Sequence, residues 1–197
     1  MAGQADLTEV VRHYRANHSR APVRELRYFA SRRTVAETVA AAAMCKIDGA
    51  KLSHQRRIPE TSLSEARDRL LENLAALRAS KTFDELHDSI EAMIRPIRKI
   101  GELAVYDITL RIGARFGIEP DKVYLHRGTR DGAKALGLEF RKSALELGEL
   151  PKPLRVLTAR EIEDVLCIYK DYFATGKAIA LERTCRTTAT AAGPNRC

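Results

Sequence analysis

One helix-start pattern recurs along the chain: a Ser or Thr followed three residues later by Glu. In such a capping box the hydroxyl accepts a hydrogen bond from a backbone N–H of the first turn, and the carboxylate accepts one from the backbone N–H of the Ser or Thr. The pattern occurs at Thr34–Glu37, Ser62–Glu65, Thr82–Glu85 and Thr158–Glu161, and Asp6–Glu9 is a close variant. Because apolar residues at helical spacing follow each start, the sequence predicts a series of amphipathic helices.

The helical spacing extends over most of the chain, whereas alternating strand patterns are nearly absent. The run 123–125 is too short to found a sheet, and Gly137 marks a potential break in one helix. We therefore expect an all-α fold, a compact multi-helix domain of about seven to eight helices. The predicted helices cover about 6–17, 22–33, 34–47, 62–79, 82–95, 102–117, 128–147 and 158–175.

The 197 residues carry a formal net charge of +8, with 34 Lys and Arg against 26 Asp and Glu. A content of 45% hydrophobic and 30% charged residues is typical of a globular protein. The four basic residues and one acid from Gly176 onward contribute +3 of that charge, so the remainder of the chain is only moderately basic. We expect an all-α domain over 1–175 and a basic, disordered tail over 176–197.

Several functional classes find no support in the sequence. No run approaches the ~20 apolar residues that cross a bilayer, and the N-terminus lacks the basic and apolar regions of a signal peptide. The histidines show no HxxxH or HExxH spacing, and the scattered cysteines form no CxxC, so we expect no metal site and no cofactor. These absences predict a cytoplasmic protein with reduced thiols and no membrane association.

Residues 97–108 carry the one recognisable motif. A helix is predicted to end near residue 95, a tight turn carries Gly101, and an apolar-periodic helix follows. The segment resembles the hairpin of helix-hairpin-helix DNA-binding proteins, whose turn reads apolar, two turn residues, apolar, glycine. The resemblance covers roughly 16 residues, with Lys99 where the family usually has glycine.

This resemblance implies contact with a nucleic-acid backbone. The hairpin would present backbone N–H groups at a helix N-terminus, where the helix dipole also favours an anion. Such contacts position a protein on DNA without reading its base sequence. The predicted binding residues are Arg98, Lys99 and Gly101 of the hairpin, supported by Arg56 and Arg57 of a polar loop and by Arg127, Arg130 and Lys134 on one face of a helix.

Two alternatives remain open at this point. Some relatives with this hairpin are base-excision glycosylases, and that resemblance implies a DNA-repair glycosylase or lyase with Asp121 or Lys99 in the catalytic role. A protein-interaction module that binds acidic partners would instead explain the basic loops without nucleic acid. The relative placement of segments 51–57, 98–102 and 124–134 separates these hypotheses, because a binding site requires them to share one face.

The segment 124–134 is itself open to two interpretations. Its glycines, Gly128 and Gly132, could let the backbone approach a ligand closely. They could equally lie in the turns of an ordinary helix with a solvated basic face.

Overall fold

A computed structural model describes residues 6–52 and 55–176, and this part of the chain contains ten α-helices and two short β-ladders. The predicted all-α fold is confirmed. Most of the predicted tail, 177–197, lies outside the described residues. The helices are α1 (Leu7–Asn17), α2 (Arg20–Ala30), α3 (Val35–Met44), α4 (Glu60–Glu72), α5 (Leu74–Ala79), α6 (Phe83–Ile94), α7 (Glu102–Phe116), α8 (Arg127–Ala135), α9 (Ala159–Ile168) and α10 (Lys170–Thr175).

Each β-ladder pairs two antiparallel strands of two residues. In the first, β1 (Lys46–Ile47) pairs with β2 (Ala50–Lys51). In the second, β3 (Val123–Tyr124) pairs with β4 (Ala144–Leu145). The second ladder occupies a segment that the helical spacing assigned to a helix over 128–147. That helix ends at Ala135 because Gly137 adopts φ 72°, a left-handed conformation that turns the chain away from the helix axis.

The predicted helix starts hold at four of the five sites. Thr34 and Thr158 form complete capping boxes with the glutamates three residues later, and Thr82 and Asp6 accept hydrogen bonds from first-turn N–H groups. The prediction at Ser62 is wrong. Helix α4 already begins after Pro59, whose fixed φ suits the start of a helix, and Ser62 is buried within the first turn.

The apolar side chains form two main clusters. The first holds α2 to α7 together, and the second holds α1 and α8 to α10 together with β3 and β4. A third, small cluster of Phe83, Tyr106 and Tyr124 lies on α6, α7 and β3. Helix α7 therefore contributes both to the first cluster, through Val105, Ile108 and Ile112, and to the aromatic one.

The two glycines of α8 have a packing role. A Cβ atom built on Gly132 would lie 2.0 Å from the backbone oxygen of Leu166, and one on Gly128 would lie 2.8 Å from Sγ of Cys167. Both neighbours belong to α9, so α8 and α9 pack at a distance that only glycine allows. The close approach that these glycines permit is made by α9 and not by a ligand.

Replacing Gly132 with Ala tests this packing. Because the added methyl would overlap backbone of α9, we expect Gly132→Ala to lower the free energy of unfolding by about 1–3 kcal/mol in urea denaturation. Gly148→Ala is the matched control, since nothing lies within 4 Å of the Cβ built there, and it should change the value by less than about 0.5 kcal/mol. Equal effects of the two substitutions would contradict the assigned role of Gly132.

Candidate functional site

The predicted hairpin lies between α6 and α7. Arg98 and Lys99 are exposed, and Gly101 is the N-cap residue of α7. Lys99 has φ 70°, in the left-handed region that favours glycine. Among the other predicted residues, Asp121 is exposed and does not line the pocket described below.

The three basic segments do not share one face. Arg130 of α8 forms an ion pair with Glu102, which brings the segment 124–134 to the start of α7 and neutralises Arg130. The loop with Arg56 and Arg57 contacts α7 elsewhere, through a hydrogen bond from Gln55 to Asp107. Glu102 and Asp107 are about 140° apart around the helix, at 3.6 residues per turn, so the two segments reach α7 on different sides.

The charges of α8 are likewise divided. Arg127 and Lys134 are exposed, whereas Arg130 is half-buried in its ion pair. The ammonium group of Lys134 lies 5.6 Å from the centre of the Phe140 ring. The predicted basic face of α8 is therefore divided between two exposed cations and one that Glu102 compensates.

A polar cavity of about 190 Å³ lies beside α7, and we call it the acidic pocket. Its walls come from α6, α7, α8 and the second β-ladder. Four carboxylates, two cationic side chains and several aromatic rings line it. The lining residues are Asp84, His87, Asp88, Glu91, Glu102, Tyr106, Lys122, Tyr124, Leu125, His126, Arg130 and Ser143.

Two of the four carboxylates have cationic partners within the protein. Glu102 pairs with Arg130, as described above. Lys122 Nζ lies 2.5 Å from Asp84 Oδ2, and the hydroxyl of Tyr124 donates a hydrogen bond to Asp84. Burial raises the pKa of Asp84, but the hydrogen bonds from Lys122 and Tyr124 outweigh it and hold the pKa below its usual range.

The other two carboxylates, Asp88 and Glu91, have no cationic Lys or Arg partner among the described residues. His87 Nδ1 lies 3.7 Å from Asp88 Oδ1, and one polar atom from each of His87, Asp88 and Glu91 lies within 4.8 Å of the others. The spacing of four residues places His87 and Glu91 on the same face of α6. A cation could bind this group, although the histidine spacings predicted no metal site.

Aromatic rings lie beside these carboxylates, because Tyr124 packs against His87. The ring centre of Tyr124 lies 4.7 Å from that of His87, 5.2 Å from that of Phe83 and 5.7 Å from that of Tyr106. Tyr106 and Tyr124 are buried. A ring face carries partial negative charge, so this wall also favours a cation.

A buried contact between a histidine and a glutamate borders the acidic pocket, since His126 is one of its lining residues. Nε2 of His126 contacts Oε1 of Glu163, and both side chains are at most 9% exposed. Burial raises the pKa of Glu163, and the contact with His126 offsets part of that shift. The backbone N–H of His126 also donates to the hydroxyl of Thr129, at 2.7 Å, which fixes His126 at the start of α8.

Sequence reasoning missed Glu163. It lies 37 residues from His126, and the capping box on the same helix draws attention to Glu161 instead. A signal was nevertheless present, because Glu163 stands among the buried apolar positions Ile162, Val165 and Leu166 of α9. A charged residue on an apolar helix face needs a buried partner.

Comparison with known proteins gives one curated relative and no match to a protein-family model or a solved structure. The chain is 30% identical over 91 residues to the energy-coupling factor transporter transmembrane protein BioN of Rhizobium etli. The match covers 46% of this chain and 43% of that protein, so the chain matches less than half of its relative.

This match contradicts the predicted nucleic-acid-binding function and the cytoplasmic localisation, because the relative is a transmembrane transporter protein. The predicted DNA partner is wrong for the same reason, and the DNA-repair alternative, which needs that partner, fails with it. The expected lack of membrane association is contradicted as well. Within residues 6–52 and 55–176, no helix is long and apolar enough to cross a membrane.

Proposed function

We propose that the protein binds a compact organic cation, one with a guanidinium or ammonium group, in the acidic pocket. The observation that carries this proposal is the uncompensated charge of Asp88 and Glu91 at the rim of an aromatic-walled cavity. Asp84 and Glu102 already have internal cationic partners, so these two carboxylates remain for a ligand.

The volume and the lining residues of the pocket support a planar or compact cation. A guanidinium group can donate parallel hydrogen bonds to carboxylates and can stack on aromatic rings. The rings of His87 and Tyr124 lie next to the carboxylates that would accept those hydrogen bonds. A cavity of about 190 Å³ has room for a small ligand of this kind.

The partial match to BioN favours a second candidate function, an association with a membrane transporter. The relative is named a transmembrane protein of an energy-coupling factor transporter, and 46% of this chain aligns with it. We propose that this chain works with components of such a transporter.

Membrane fractionation tests the second candidate. We expect the full-length protein, expressed with an affinity tag in the organism that encodes it, to sediment with the membranes after a high-salt wash. The wash removes proteins held only by surface charge, because salt screens exposed charges. Complete recovery of the protein in the supernatant would contradict this association and would leave the cation-binding proposal standing.

Methylguanidine tests the cation-binding proposal, with uncharged methylurea as a ligand of similar shape. We expect methylguanidine to bind in calorimetric titration and methylurea not to bind. Asp88→Asn combined with Glu91→Gln should weaken methylguanidine binding at least about tenfold, which corresponds to about 1.4 kcal/mol.

Glu72→Gln is the matched control, because Glu72 is an exposed carboxylate on α4 and outside the pocket. It should leave methylguanidine binding unchanged. Equal loss in both variants would show a general charge effect and refute the site. Tight binding of Mn²⁺ with no binding of methylguanidine would replace the organic cation with a metal ion.

The effect of Tyr124 on the Asp84 carboxylate can be measured separately. Tyr124→Phe removes a hydrogen bond that stabilises the carboxylate, so we expect it to raise the pKa of Asp84 in a carboxyl NMR titration. In the native protein that pKa is below the unfolded value, so the contribution of Asp84 to stability is complete above the unfolded pKa and is lost as pH falls through the folded pKa. Tyr172→Phe, on α10, is the control and should leave the pKa of Asp84 unchanged. An unchanged pKa of Asp84 in Tyr124→Phe would contradict the assigned hydrogen bond.

A further inference from the structure

Helix α2 presents a row of arginines to solvent. Arg20, Arg24 and Arg27 are all exposed, and their spacings of four and three residues place them on one side of the helix. Phe29, on the opposite side, is buried in the first apolar cluster. We call the side that carries the three arginines the arginine face.

These three arginines have no ion-pair partner in the part of the chain that the structure describes. Glu25 is the one acid of α2, and its carboxylate is directed to another helix, because Oε1 of Glu25 lies 3.0 Å from Nε of the buried Arg111. The positive charge of the arginine face is therefore uncompensated within the described residues.

The arginine face is unfavourable for the helix that carries it. Positive charge near a helix N-terminus opposes the helix dipole, and Arg20 and Arg24 lie near the start of α2, whose first turn holds no acid. Like charges three or four residues apart on a helix also repel each other. An anionic surface against this face would offset both costs, so the arrangement indicates a partner outside the chain.

An apolar side chain is exposed among these charges. Val23 lies on the same side of α2 as the arginines and is 43% exposed. Val23 and Arg27 also line a groove of about 220 Å³, so this groove opens at the arginine face. Its apolar lining residues are Val23, Leu26, Ala30, Leu110, Ala114 and Ile118.

We propose that the arginine face binds the surface of a bilayer that contains anionic phospholipids. The guanidinium groups bind head-group phosphates, because a guanidinium donates paired hydrogen bonds to phosphate oxygens. Val23 enters the boundary between the head groups and the acyl chains, as apolar residues of helices that lie parallel to a bilayer do. The lipid contact goes beyond the transporter association proposed above, because it needs no transporter component.

Val23 distinguishes a bilayer from other polyanions. A nucleic acid would bind the same arginines through its phosphates, but it would leave the exposed valine beside them without a role. A bilayer places an apolar layer within about 5–10 Å of its charged surface, so arginines and an apolar side chain on one helix face can both be accommodated. The combination of the two therefore favours lipid.

Vesicle co-sedimentation with the purified full-length protein tests the lipid contact. The probes are vesicles of phosphatidylglycerol and phosphatidylcholine in equal parts, and vesicles of phosphatidylcholine alone are the uncharged reference. At low ionic strength we expect at least about tenfold tighter binding to the anionic vesicles. We expect about 1 M NaCl to release the protein, because the Debye length is then only about 3 Å. Equal binding to both kinds of vesicle, or binding to neither, would overturn the proposal.

Replacement of the three arginines together locates the contact. Arg20→Gln combined with Arg24→Gln and Arg27→Gln should weaken binding to anionic vesicles at least about tenfold, whereas Lys at all three positions should retain most of the affinity. Because the positions are exposed and Gln has a similar helix propensity, the far-ultraviolet circular dichroism should not change.

The matched control also removes three positive charges, by replacement with Gln at exposed positions outside α2: Arg78, Lys81 and Lys152. It should weaken vesicle binding less than about threefold. Equal losses in the two triple variants would show a general charge effect and refute the arginine face.

Val23→Ser tests the apolar part of the contact. We expect it to weaken binding to anionic vesicles at least about twofold, because the hydroxyl disfavours entry into the apolar layer. Val156→Ser is the control, since Val156 is also an exposed valine, lies outside α2 and does not line the groove. Full vesicle affinity of Val23→Ser, or tighter binding of the native protein to duplex DNA than to anionic vesicles, would contradict a bilayer as the partner.

The vesicle result is independent of the transporter association. Vesicles contain no transporter protein, so failure to bind them would overturn the lipid contact, while a salt-resistant membrane fraction would still support the transporter association. Vesicle binding by a protein that is recovered completely in the supernatant after the high-salt wash would refute the transporter association and support the lipid contact.

Discussion

The interaction on which the rest of the structure depends is the compensation of Arg111 in the middle of α7. This guanidinium is 2% exposed, and a buried charge is strongly unfavourable without partners. Its partners are Glu25 on α2, Asp107 one turn earlier on α7, and Sγ of Cys45 at the end of α3. The polar contacts of this one buried side chain therefore connect α2, α3 and α7.

The same helix lines both the acidic pocket and a smaller cavity between α2, α7 and α9. Tyr106 lines the acidic pocket, and its buried hydroxyl has no hydrogen-bond partner among the described residues. His126 lines the acidic pocket, Glu163 lines the smaller cavity, and the two side chains are in contact.

The basic segments that the sequence analysis identified contribute only Arg130 among their predicted binding residues to the acidic pocket. Arg130 lines the acidic pocket, but its charge is compensated by Glu102, so this residue, predicted to bind an anion, already has a partner within the protein. The four other predicted cations are exposed and line neither the acidic pocket nor the smaller cavity: Arg56, Arg57, Arg98 and Lys99. Net charge does not locate a site, because pairing between elements distant in sequence decides which charges remain uncompensated.

The sequence by itself determined the helices, since capping and apolar spacing act over a few residues, as at Thr34 and Thr158. It also contained the break at Gly137, where a left-handed backbone needs glycine. Only the tertiary structure determines which side chains come together in the pockets. His126 meets Glu163, and Arg111 meets Glu25, across 37 and 86 residues, and no local pattern encodes such contacts because they depend on how the helices pack.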